Sequence, residues 1–460
     1  MSVPHRQGSS QYPNGETVMA TRDCHPLNKS NAHFASPKGP SLSDRLESYC
    51  TWIEARISNG YWPYARNLST PPEPTAKIAY TGRTAHNGIN LAAQDYLALS
   101  THPEIKEAAI STTRDFGVHS AGSAMLLGNN PMSLQLEAAL SDLLHLDCIL
   151  LFPTGWTAGY GTVTGLIRDY DHIVVDQLAH ACLQGGAAAA TKNVHHYRHL
   201  DVAHAAEILG RIRSTDTQNA ILVIAEGVFS MDSDSPDLAA LHASCREFRA
   251  TLLVDVAHDH GCLGDGTGQI GMQGMLGKID IVMGAFSKTF ASNGGFIATS
   301  DSRIKRYLQW FANPHTFSNA LSPIQCAVVI KAISVVRSQE GETRRRGLLH
   351  ASTFFRAQLR QHGLETLGSP SAIVPVMLGK DAFAREASKA VAGSDTFVNL
   401  VEFPAVGLGA ARFRCQLMAT HTDEQLAQAA QDIRDAISSV ESEQNRRFDS
   451  VDAQISSLEG

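Results

Sequence analysis

The sequence predicts an α/β fold, in which a mostly parallel central sheet carries helices on both faces and a smaller α/β domain follows. Three observations predict it. Between about residues 90 and 300, short apolar runs alternate with helix-length segments, the pattern of strands joined by crossover helices. The runs are Ile149–Phe152, Ile173–Val175, Ile221–Ala225, Thr251–Val254, Ile279–Met283 and Phe296–Ala298. They are unbroken and rich in branched side chains, as strands buried on both faces are. Finally, Asp176, Glu226, Asp255 and Lys288 follow such runs, at the carboxyl ends where open sheets gather ligands.

In chain order, residues 1 to about 40 are rich in Ser, Asn, Pro, Gly and His without a hydrophobic period, which predicts a disordered tail. Residues 41–90 form an N-terminal arm. It opens with a helix near Ser43 that places Leu46, Tyr49, Trp52 and Ile53 on one face, and the Pro-rich segment Thr70–Pro74 then breaks the chain. Residues 91–321 form the large domain. Residues 322–440 hold long helical segments from Ser322 to Leu364 and a small domain with strands at Ile373–Met377, Phe397–Leu400 and Phe413–Met418. From about Ser442 the chain is polar, and 441–460 reads as a frayed helix or tail.

The 460 residues are 43% hydrophobic and 18% charged, ample for a large core and a second domain. The net charge of −7 and the lack of a basic block argue against nucleic acid or an anionic membrane as partner. Arg344, Arg345 and Arg346 read as a solvated helix face. The eight cysteines lack the spacing of a zinc or redox motif, so no metal is expected and a reducing cytoplasmic compartment fits. No apolar run is long enough to span a bilayer.

The chemistry centres on Asp255 and Lys288. A carboxylate ending a buried strand is costly unless it meets a cation, and a protonated pyridine nitrogen would be one. A helix N-cap is the plainer alternative. His258, three residues on, could bond a ring oxygen or be a structural histidine. Lys288 follows an apolar run, and a desolvated lysine amine is the kind that attacks an aldehyde; alone it would read as solvated. Phe152–Pro153–Thr154–Gly155–Trp156–Thr157 links a strand to a helix whose start could hold a phosphate or be a plain turn. His180 opens another helix and could stack on a flat ring. Glu226 ends the strand before that of Asp255 and so can line the same crevice.

These motifs resemble those of the α-oxoamine synthases, within the fold-type I pyridoxal-phosphate (PLP) enzymes. The likeness runs from about Asn90 to Leu426. It includes Asp95–Tyr96–Leu97–Ala98–Leu99, Glu226–Gly227–Val228–Phe229–Ser230–Met231–Asp232, the Asp255–His258 pair, Phe286–Ser287–Lys288, Phe317–Ser318–Asn319 and Ala411–Arg412–Phe413–Arg414. The resemblance implies the aminotransferase-like fold and a role for each matching position. Lys288 would hold the cofactor as a Schiff base and move protons at the substrate α-carbon. Asp255 would meet the pyridine nitrogen, His258 and Ser230 the ring oxygen, and His180 the ring face. Gly155 and Trp156 would hold the phosphate, and Arg414, with Arg412 as the alternative, the substrate carboxylate. Four positions depart from the family pattern: Ala285 replaces a phosphate-binding Thr or Ser, for which Ser287 or a partner subunit's Ser318 would compensate. Gln94 replaces an Asn near the substrate carboxylate. Val256 replaces Glu, and the glycine-rich stretch reads Ser120–Ala121–Gly122–Ser123–Ala124.

The implied reaction is the decarboxylating condensation of a small α-amino acid with an acyl thioester, from coenzyme A or an acyl carrier protein, in a homodimer with shared active sites. Aminotransfer, amino-ketone cleavage and a non-catalytic partner subunit are the alternatives, and the last would have lost Lys288.

Overall fold

The computed structural model describes residues 25–81 and 84–458; residues 1–24 of the expected tail lie outside them. The chain first lays down β1 (Asn67–Leu68), β2 (Thr75–Ala79) and β3 (His86–Leu91), with the Pro-rich segment as the β1–β2 turn. It then builds β4 (Cys148–Phe152), β5 (His172–Asp176), β6 (Val194–Tyr197), β7 (Ile221–Glu226), β8 (Thr251–Asp255), β9 (Ile281–Ala285) and β10 (Gly295–Thr299). These seven form one sheet in the order β4-β10-β9-β8-β7-β5-β6. Strands β6, β5, β7, β8 and β9 run parallel, and β10 lies antiparallel between β9 and β4.

Alternation along each strand splits the core in two. Leu222, Ile224, Leu253, Ile281, Met283 and Ile297 face one layer of helices. Val223, Ala225, Leu252, Val254, Val282 and Phe296 face the other. Both faces of the sheet are therefore covered, which is why the runs are apolar throughout. The strand expected at Ile279 begins at Ile281, because the Asp280 side chain accepts the Leu252 N–H at 2.8 Å before the chain enters the sheet.

The second sheet takes strands from both ends of the chain. β11 (Ile373–Gly379), β12 (Thr396–Val401) and β13 (Ala411–Gln416) join β1–β3 in the order β1-β2-β3-β12-β13-β11, with β12 parallel to β3. Helices Pro323–Val336 and Gln339–Gln361 connect the sheets. The chain closes with helix Asp423–Leu458, which continues through the expected tail. No helix among the described residues is long and apolar enough to cross a membrane.

Two sequence expectations need correction. Residues 25–40 are not free, because Phe34 packs on Trp52 with ring centroids 5.0 Å apart and the Pro26 carbonyl accepts from Arg385 Nη1 at 3.2 Å. The basic run is not one solvated face, since Arg345 is buried and Arg344 Nη1 donates to the Leu97 carbonyl. Composition showed the polarity of these segments but not the distant carbonyls that satisfy it.

Candidate active site

The parallel register sets the site. Glu226 pairs with Asp255 and Asp255 with Met283, so adjacent strands end at one level and two carboxylates stand side by side. The chain then turns at β9 to present Lys288. A cavity of about 270 Å³ opens there, lined by Gly155, Trp156, His180, Glu226, Asp255, His258, Ala285, Ser287 and Lys288 among others. Gly155 and Lys288, 133 positions apart in sequence, thus meet in one crevice.

Each polar group has a defined partner. The Asp255 carboxylate accepts the Ala257 N–H at 2.9 Å. Glu226 Oε1 accepts the backbone N–H of His180 at 2.6 Å, and His180 Nδ1 accepts that of Cys182 at 3.3 Å, capping helix Ala181–Ala190. Tyr96 Oη and His258 Nδ1 share a hydrogen bond of 2.8 Å. Thr154 caps helix Gly155–Leu166 reciprocally with Thr157, leaving the first-turn amides without intrahelical acceptors. A side chain at Gly155 would overlap the Cβ of Ala285, so the helix start and the end of β9 meet as closely as glycine allows.

Burial controls the charges. It raises the Glu226 carboxyl well above its usual range, and neighbouring Asp255 raises it further. Burial also raises Asp255, but His180 and Lys288 pull it back. Burial lowers the Lys288 amine against the opposing pull of Asp255, and lowers both His180 and His258.

The remaining expected residues fall in different places. Arg414 stands outside the cavity lining, yet its charge acts on Lys288, His180 and His258. It is buried, and its Nε and Nη2 have no hydrogen-bond partner. Arg412 is committed, as it pairs with Asp232 and donates to the Met231 carbonyl. Ser230 is buried and lines a neighbouring cavity. Gln94, half-buried before Tyr96, and Ser318, in the turn after helix Asn313–Thr316, are not among the residues lining the Lys288 cavity. Sequence reasoning placed Glu226 in the crevice but missed its bond to His180, and missed Tyr96 as the partner of His258.

The cavity suits PLP. The glycine cradle at a helix start fits a phosphate, the buried Asp255 fits a pyridinium, and the desolvated Lys288 amine fits an aldehyde. The unpaired nitrogens of Arg414 call for an anion that the protein itself does not supply.

The family model for class I and II aminotransferases matches residues 86–433. The 8-amino-7-oxononanoate synthase of Geotalea daltonii is 35% identical over 358 residues, 78% of this chain and 90% of that one. That of Marinomonas sp. is 32% identical over 361 residues, 78% and 87% of the two chains. Among solved structures, a serine palmitoyltransferase from S. paucimobilis with bound PLP–myriocin aldimine superposes with a TM-score of 0.81 at 26% identity, covering 87% of this chain and 99% of that one. The Sphingomonas wittichii serine palmitoyltransferase gives 0.80 at 27% with the same coverage. Fold and cavity together define a PLP enzyme of the aminotransferase-like fold type I. Within that class the chain belongs to the α-oxoamine synthases and is a PLP-dependent acyltransferase.

Proposed function

We propose that the protein condenses a small α-amino acid with an acyl thioester, releasing carbon dioxide and the thiol and leaving an α-amino ketone. The observation that carries this reading is the pairing of a desolvated lysine with a buried arginine whose Nε and Nη2 are unpartnered. A guanidinium fork is suited to take a carboxylate in two parallel bonds. Arg414 therefore orients the amino acid, and the amine of Lys288 takes the proton from its α-carbon. When bound, PLP supplies a protonated ring that draws electrons from that carbon.

The other residues serve this geometry. Asp255 holds the proton on the ring nitrogen, His258 and Ser230 address the ring oxygen, and His180 covers the ring face. The amides of Gly155 and Trp156, with Ser287, hold the phosphate, a role strengthened by the absence of a hydroxyl at Ala285. Gln94 lies on the path to the carboxylate. The acyl donor is a coenzyme A or carrier-protein thioester. The enzyme acts as a homodimer that brings a partner subunit's Ser318 to the phosphate. This last point is supported by Leu127 and Phe317, 87% and 82% exposed, on segments that meet through the Ser123–Asn319 bridge.

The test incubates the holoenzyme with glycine, alanine or serine and a series of acyl-coenzyme A thioesters. Free thiol and carbon dioxide should appear together, in equal amounts. A keto acid formed without thiol release would instead make it an aminotransferase.

A further inference from the structure

The Lys288 cavity has a larger neighbour. A second cavity of about 670 Å³ begins at His180, which lines both. Its inner walls include Leu178, Phe229 and Met231, and its outer wall is residues 403–407. Only Val406 of that wall is buried, so the wall has little packing of its own to hold it.

What holds it is the N-terminal segment 31–64, together with Arg385 of helix Asp381–Val391. Glu402, at the root of the wall and buried, takes Arg56 Nη2 at 2.7 Å and Tyr64 Oη at 3.0 Å on Oε1, and Arg385 Nε at 2.8 Å on Oε2. Both guanidiniums are fully buried and flank the Trp52 ring, at 4.9 and 5.1 Å from its centroid, an arrangement favoured by cation–π attraction. Asn31 Nδ2 donates to the Phe403 carbonyl at 2.9 Å, tying the N-terminal segment to the wall's own backbone.

We infer that Asn31 and Arg56 are positioning residues, which act through Phe403 and Glu402 to hold the wall against which the acyl chain of the thioester lies. The assignment of the donor rests on the reaction proposed above. Two substrates must meet at His180, and the two cavities differ in kind. The smaller carries the amine, the carboxylates and the glycine cradle, suiting the cofactor and a small amino acid. The larger is also lined by Ser230, Asp232 and Arg412, the last two committed to each other, but takes apolar walls from Leu178, Phe229, Met231 and Val406, which suit an acyl chain. Its outer wall is set by residues more than three hundred positions away in sequence, so the N-terminal segment governs the donor without touching the reacting atoms.

The test uses the full-length holoenzyme and its Asn31→Ala variant, with Glu402→Gln as a second. Glu402→Gln removes the carboxylate from two buried guanidiniums and risks the fold, whereas Asn31→Ala removes one bond at a half-buried position. Hydrogen exchange of residues 403–410 should quicken by about fivefold or more, with residues 281–290 unchanged. The KM for octanoyl-coenzyme A should rise by about five- to tenfold, while the amino-acid dissociation constant, read from cofactor absorbance, stays the same. Unchanged exchange at 403–410 would overturn the anchor. Equal weakening of amino acid, cofactor and thioester would reduce it to general structural support and also overturn the inference. If the wild type turns over none of acetyl-, octanoyl- and palmitoyl-coenzyme A, the reaction and the donor assignment fall, and exchange alone decides the anchor.

Discussion

Lys288 and Arg414 are both cations that burial makes less comfortable, and each is relieved by a different guest. Replacing Lys288 with Ala should lower turnover by about 10²- to 10⁴-fold, the usual worth of a positioned proton-transfer group. A Lys288→Ala enzyme turning over at near wild-type rate would remove the lysine from the chemistry. The two arginines separate cleanly. Arg414→Met should weaken amino-acid binding by about 10- to 100-fold, the worth of a charge-assisted bond, in a spectroscopic titration of the cofactor. Arg412→Met should leave that titration little changed, because Arg412 is already held by Asp232. The two were distinguishable as neighbours in the sequence, but which one was free was not. That depends on the turn after β7, which lies 180 residues away.

At the scale of elements, the turns after the strands are held by charge as well as by packing. His199, beyond β6, bonds Asp176 at the end of β5 at 2.9 Å and Asp234 beyond β7 at 3.1 Å. Burial would lower its pKa, but the two carboxylates outweigh it and bring it to about 10. A folded-state pKa raised above the unfolded value of about 6.5 contributes stability that is full below pH 6.5 and lost as pH rises through 10. His199→Gln should therefore lower the melting temperature most at pH 6, with the gap to wild type closing by about pH 10; a gap constant with pH would show the ion pairs contribute nothing. Six of the seven strands of the large sheet were legible, since each had to be apolar on both faces; the edge strand β6, Val194–Tyr197, carries two histidines and gave no such run. Their partners were less so. That β10 runs antiparallel between β9 and β4 is decided by the loop 286–294, which the Phe286 N–H closes on the Gly294 carbonyl at 3.0 Å, and by how closely Gly295 packs on Gly155.

For the whole molecule, the three most exposed large apolar side chains among the described residues, Leu126, Leu127 and Phe317, all more than 80% exposed, lie on segments 120–128 and 317–320, which meet. Scattered exposed hydrophobes are ordinary, but a contiguous cluster marks an interface. Sedimentation should give twice the chain mass of 49.5 kDa, and a Leu127→Asp, Phe317→Asp double variant should shift it to the monomer with loss of bound cofactor. A wild type that sediments as a monomer at working concentration would contradict the shared site.

Local pattern determined the α/β class, the ends of the buried strands and the acid and lysine that follow them. Burial on both faces demands unbroken apolar runs, and the polar groups closing such runs have few places to go. Only tertiary structure decided that β1–β3 share a sheet with β11–β13, that Arg412 is spent while Arg414 is free, and that residues 25–64 brace the wall beside His180. Each of these turns on a carboxylate or carbonyl far along the chain finding one particular donor, a match that no periodicity within either segment encodes.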